Sequence, residues 1–233
     1  MTNSKFFRAI RTHDFDTISY FLEQPNPIQY THSLDENNQT PLNVALSNGA
    51  NRGVVDALLR GGVYVSVDNI VYAAGLPNRE VLPWLCNSAR GIINRPHNDG
   101  WNPLQLALLC NLDEGTVLAL LNNGANPRLT DPYGWTPLLR AIRYNPKAHK
   151  IIPALLERGA DPNASGCDNL SLLHMAIIYN PNSLIIFSLL KYGADPDSLN
   201  PDGQTVLHAG KFLGGLIIRH RWKLVSFVPS VVT

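Results

Sequence analysis

Charge of either sign is scarce in this chain. Among its 233 residues, Lys and Arg number 19 against 18 Asp and Glu; the formal net charge is +1, and charged residues reach only 16%. A domain built for nucleic acid usually carries a strong basic bias, so this balance speaks against that partner. Hydrophobic residues still make up 45%, which speaks against a disordered chain of low hydrophobicity and high net charge. Cysteine is equally sparse. Cys86, Cys110 and Cys167 are too few and too scattered for a disulfide framework or a Cys-rich zinc site, and they point to a reducing compartment. No window approaches the roughly 18 uninterrupted apolar residues of a membrane span. Met1 to Asp14 lacks the apolar core of a secretory signal. The catalytic fingerprints are missing as well. Gly210, Gly214 and Gly215 are not spaced as a phosphate loop, and neither a His-Glu-x-x-His zinc pattern nor a Gly-x-Ser-x-Gly elbow occurs. The expectation is a non-enzymatic chain with no cofactor and no metal.

What the chain has instead is repetition. Thr40-Pro41-Leu42-Asn43-Val44-Ala45 lines up with Asn102-Pro103-Leu104-Gln105-Leu106-Ala107 and with Thr136-Pro137-Leu138-Leu139-Arg140-Ala141. Ser171-Leu172-Leu173-His174-Met175-Ala176 and Thr205-Val206-Leu207-His208-Ala209-Gly210 continue the series, with a weaker copy at Asn69-Ile70-Val71-Tyr72-Ala73-Ala74. The average step is about 33 residues. Leucine pairs keep the same phase at Leu58-Leu59, Leu120-Leu121 and Leu189-Leu190, and Leu155-Leu156 falls one residue later in its copy. Three of the four pairs are followed by Gly124-Ala125-Asn126-Pro127, Gly159-Ala160-Asp161-Pro162 and Gly193-Ala194-Asp195-Pro196.

Three motifs recurring in register closely resemble the ankyrin repeat family, from roughly residue 4 to residue 213. The physics of the residues agrees. Thr40 and Thr136 read as helix N-caps, whose hydroxyls satisfy open backbone N–H groups. The proline after each suits the first helical position, where its missing N–H costs nothing. The leucine pair closes a second helix, and the glycine after it supplies the left-handed residue that ends it. One such hairpin cannot bury both its faces alone, so copies must stack.

The expected fold is therefore all-α: an ankyrin-repeat solenoid of helix-turn-helix units with projecting β-turn or hairpin loops, forming a single domain over 1–233. The units divide as an N-terminal capping unit at 4–37, then repeats at 38–68, 69–100, 101–134, 135–169 and 170–203, with 69–100 degenerate. An incomplete last repeat and an apolar, basic tail occupy 204–233. In the N-terminal unit, Ser4 and Asp14 are read as caps of the two helices. The turn near Gly61-Gly62-Val63 must be short. Pro83 and Pro153 must fall in first turns or kink their helices, because an interior proline costs roughly 3 kcal/mol.

The resemblance also implies how the chain works. Ankyrin domains usually bind protein partners on a concave face made of projecting turns and first-helix ends. Carried over position by position, that face gives the candidate partner-binding set Trp101, Tyr133, Trp135, Arg143, Tyr144, Asp168, Leu170, Tyr179 and Phe212. Trp101 and Trp135 share one repeat position, and Tyr144 and Tyr179 share another. Stacking predicts two short aromatic rows beside Arg143, with the indoles exposed, and Trp, Tyr and Arg are the residues most enriched at binding hot spots. On this reading Trp135→Ala leaves the fold intact and weakens binding. His174 and His208 occupy the position where ankyrin repeats use His to hydrogen-bond within and between repeats, and His97 stands where the turn Asp often stands. The partner is an unidentified protein, with nucleic acid and membrane set aside. Two rival readings remain: a bacterial effector delivered into a host cell, acting by binding a host protein in the cytoplasm, and a structural protein that self-associates through residues 212–232.

Overall fold

A computed structural model describes residues 2–49, 51–76, 80–89, 91–110, 113–165, 169–206 and 208. Among these residues the ordered backbone is helical, and extended pairing is limited to one isolated antiparallel bridge between Leu199 and Thr205. The chain forms two compact units. The first holds residues 1–107 and 115–125, the second residues 108–114 and 126–233. No helix among the described residues is long and apolar enough to cross a membrane.

In the first unit, α1 (Thr2–Thr12) pairs with α2 (Phe15–Leu22), α4 (Pro41–Ser47) with α5 (Arg52–Arg60), and α6 (Val67–Gly75) with α7 (Val81–Ser88). The one-turn α3 (Ile28–Thr31) packs on α2. The hairpins lie side by side. First helices stack on first helices, α1 on α4 and α4 on α6, while second helices stack in another layer, α2 on α5 and α5 on α7. Further along the chain come α8 (Pro103–Leu109) and α9 (Glu114–Asn122). In the second unit α10 (Pro137–Tyr144) pairs with α11 (Ala148–Glu157) and α12 (Leu172–Tyr179) with α13 (Ser183–Lys191); again α10 packs on α12 and α11 on α13. The small alanines Ala45, Ala107, Ala141 and Ala176 are all buried, which lets neighbouring helices approach, and the first leucine of every pair is fully buried.

The helix ends follow the expected chemistry. Thr40 Oγ1 accepts the N–H of Asn43 and Thr136 Oγ1 that of Leu139, each at 3.3 Å and each just before a proline at the first helical position. Asp14 accepts from both the hydroxyl and the N–H of Thr17, and these bonds hold its carboxyl below the ordinary range. At the far ends Gly124, Gly159 and Gly193 are left-handed, with φ of 91°, 86° and 91°. The alanine after each donates back into the last turn, to Leu120, Leu155 and Leu189.

Four details depart from the expectation or sharpen it. The first helix begins at Thr2, so Ser4 lies within it rather than capping it. The connection across residues 61–66 is indeed short, and the helix that follows is capped by Ser66, three residues before the point where the weaker copy lines up at Asn69. Ser66 Oγ accepts the N–H of Asn69, and Asn69 Oδ1 accepts the N–H of Ser66. That reciprocal box places Asn69 one turn inside the helix, hydrogen-bonded to Asn43 on α4. Pro83 is the third residue of α7, where proline is tolerated. Pro153 is not so placed, since it sits in the interior of α11. There it lacks the N–H that would bond the His149 carbonyl. Replacing Pro153 with Ala is therefore expected to stabilise the fold by about 2 kcal/mol, after allowing for the greater freedom of the unfolded chain. Urea denaturation measures this, and an unchanged or lowered midpoint contradicts it.

Candidate functional site

Three projecting turns share one construction. In the turn before α10, the N–H of Asp131 donates to the carbonyl of Trp135 at 2.9 Å, and Asp131 Oδ1 accepts the N–H groups of Tyr133 and Trp135 at 2.8 and 3.0 Å. Gly134 closes it with φ of 78°. Asp35 does the same with Asn37, Gln39 and left-handed Asn38, and Asn200 with Asp202, Gln204 and Gly203. Burial works to raise the Asp35 pKa, but the Gln39 and Asn37 N–H groups and Arg11, at 2.7 Å, outweigh it and hold the carboxyl below its usual range. His97 takes the equivalent place in its own turn, with its N–H on the Trp101 carbonyl at 2.7 Å and its ring between Asp68 and Asp99. In the Asp35, Asp131 and Asn200 turns the side chain closes the loop, leaving the tip residues exposed to solvent.

In the second unit one turn carries more. Both Nε and Nη2 of Arg140 donate to Asp131 Oδ2. The carboxylate side chain is 0% exposed and the guanidinium side chain 11%. Over this pair lies Trp135, its ring centroid 5.6 Å from Arg140 Cζ, and the indole meets Tyr144 at 5.8 Å with an interplanar angle of 33°. Arg143, one turn further along α10, places its Cζ 3.7 Å from the centre of the Tyr179 ring, 5.7 Å from that of Tyr144 and 5.8 Å from that of Trp135. Two arginines, one indole and two phenols thus form a continuous cluster across α10, its preceding turn and the end of α12.

Exposure divides this cluster. Tyr144 and Tyr179 are 52% and 40% exposed, and Tyr133 at the turn tip is more open still. Trp135 is only 9% exposed. The expectation of an exposed indole is thus corrected at this position. Arg140, Arg143 and Tyr144 close over it, and it serves as the floor on which Tyr144 rests. Leu170 is half-buried. Trp101, in the first unit, is also half-buried. Asp168, Phe212 and the tail segment 212–232 lie outside the described residues. Sequence reasoning missed Asp131 and Arg140. The signal available was weak: an Asp at the turn position and an Arg in the following helix, nine residues apart.

The cluster offers flat apolar faces and a half-buried cation, which suits adhesion rather than bond-breaking. Among the described residues no group of His, Cys, Asp and Glu is arranged to hold a metal. His174 is fully buried; its Nδ1 lies 2.7 Å from Ser171 Oγ and its Nε2 3.1 Å from the Gln204 carbonyl. The tautomer that fits carries the proton on Nε2. His174 therefore ties its own helix start to the next projecting turn. Asn163 makes a second tie, its Nδ2 donating to the Gly193 carbonyl and its Oδ1 accepting the Asp195 N–H.

Comparison with known proteins agrees with this architecture. Residues 70–166 match a family model of ankyrin repeats, three copies. Among solved structures, an ankyrin repeat domain from Acinetobacter baumannii AYE superimposes with a TM-score of 0.63 at 24% identity, covering 82% of this chain and 98% of that one. The ankyrin repeat domain of Bcl-3, described as a unique member of the IkappaB protein family, gives a TM-score of 0.66 at 25% identity, over 88% of this chain and 92% of that one. No curated protein matches the sequence.

Proposed function

This chain carries ankyrin repeats, and from that premise we propose that it is a non-enzymatic scaffold whose second unit docks a protein partner on the face formed by projecting turns and first-helix ends. Ankyrin repeats are in general protein–protein interaction modules. The observation that carries the reading is the state of Tyr144 and Tyr179. Both rings are half exposed, both are held in place by Arg143, and neither fills the core. Rigid aromatic side chains fixed before binding lose little entropy on contact, and this is how a preorganised surface gains affinity. Tyr133 and Ile178 widen the apolar area. Trp135 supports it from below.

The partner meets this surface in the cytoplasm. The free thiols fit such a reducing setting, among them Cys86, whose pKa burial pushes up to about 11.

The test pairs binding with stability. Affinity capture with the wild-type chain and with a Tyr144→Ala/Tyr179→Ala variant, quantified by mass spectrometry, is expected to show a partner whose binding weakens by about 2 kcal/mol or more in the variant. The variant should melt within a few degrees of wild type, since both rings are largely outside the core. A captured protein that is indifferent to both tyrosines contradicts the reading.

A further inference from the structure

Arg140 and Arg143 stand three residues apart on α10 and differ in one respect. Arg140 comes with its counter-charge, the buried carboxylate of Asp131. Arg143 has no carboxylate of the described residues within 4.0 Å. Its Nη1 is shielded from solvent and has no hydrogen-bond acceptor. The Tyr179 and Tyr144 rings hold the cation by their faces. A π-face does not answer the in-plane N–H fork of a guanidinium, which carries five donors. The Tyr179 and Tyr144 phenols also act as hydrogen-bond partners of the guanidinium and favour its charged form, but Nη1 is left without an acceptor, and the group that best answers a guanidinium donor beside aromatic rings is a carboxylate.

We propose that the protein segment docking on Tyr144 and Tyr179 brings an acidic side chain, Asp or Glu, that pairs with Arg143. This rests on the reading that the face docks a protein. The occupant is an acidic peptide segment with an apolar or aromatic neighbour lying against the two phenol rings. Charge complementarity selects it: among the described residues, the exposed groups that carry the surface with Arg143, namely Tyr144, Ile178 and Tyr179, are uncharged.

A random dodecapeptide library displayed on phage, selected on the full chain, supplies the probe. Selected peptides are expected to share one acidic position. In a synthetic copy, Asp→Asn or Glu→Gln at that position should weaken binding to wild type about tenfold or more, and should cost nothing further on Arg143→Gln. Arg143→Lys, which keeps the charge and loses the fork, should restore only part of the affinity, with thermal melting confirming that both variants fold. The proposal is overturned if the selected peptides share no acidic position, or if neutralising it costs as much on Arg143→Gln as on wild type. Peptides that keep their Tyr144 and Tyr179 dependence in those cases leave the docking face standing and remove only its acidic partner. Peptides indifferent to both tyrosines overturn the docking face as well.

Discussion

Replacing Asp131 with Ala is expected to destabilise the second unit by about 3–5 kcal/mol, the range for breaking a buried pair by removing one partner. The carboxylate side chain is 0% exposed and does two tasks at once. Its Oδ1 closes the projecting turn through the N–H groups of Tyr133 and Trp135, and its Oδ2 takes both Nε and Nη2 of Arg140. Alanine removes the acceptor of two backbone donors and the carboxylate that faces a guanidinium nearly out of water. The Asp131→Asn change keeps an acceptor for the turn but not the charge, so it should lose less than Asp131→Ala. Urea denaturation followed by hydrogen exchange of the amides at 131–144 measures both variants. A cost under about 1 kcal/mol for Ala would show that the backbone alone holds the turn.

Trp135→Ala is expected to lose a comparable amount, about 3–5 kcal/mol, the usual range for truncating a buried Trp. This reverses the first expectation from sequence, in which the indole is an exposed contact that can be removed without harm to the fold. At 9% exposure, with Tyr144 against it and two guanidiniums over it, the ring is expected to act as support rather than contact. Its loss should lower thermal stability and partner binding together, because Tyr144 and Arg143 lose their floor. The Tyr144→Ala/Tyr179→Ala variant should lower binding alone. A Trp135→Ala chain that melts like wild type contradicts this division of labour. Combining it with Asp131→Ala should cost less than the sum of the two, since the Trp135 N–H bonds to Asp131 and the two changes remove overlapping structure.

Much of the fold is legible because it is written locally and repeatedly. A threonine before a proline marks a helix start from four consecutive residues, and a glycine after a leucine pair marks an end. Both signals recur at Thr40, Thr136, Gly124, Gly159 and Gly193, and each stands where the pattern puts it. What escapes is written at a distance or in a different residue alphabet. Ser66 caps α6 with an asparagine answering it three residues on, and that box does not resemble Thr-Pro-Leu, so the repeat pattern places the start one turn late. The burial of Trp135 depends on Arg140, Arg143 and Tyr144 folding back over the preceding turn, which spacing along one helix does not reveal. The site follows the same rule. Equivalent repeat positions bring Tyr144 and Tyr179 to Arg143, while the Asp131–Arg140 pair, built between one turn and the helix after it, leaves no recurring trace.

The turns that close on their own side chains separate two kinds of change. Asp35, Asp131 and Asn200 fasten the base of each loop by accepting backbone N–H groups from Asn37, Tyr133 and Asp202 at the tips, and in the first of these turns Glu36 adds its carboxylate to Arg11 at 3.2 Å. Backbone N–H groups survive a change of side chain, so selection, or a designer, can rewrite much of those tips, like exchanging the bits of a key on an unchanged shank. Specificity in this molecule can drift quickly while its architecture stands still.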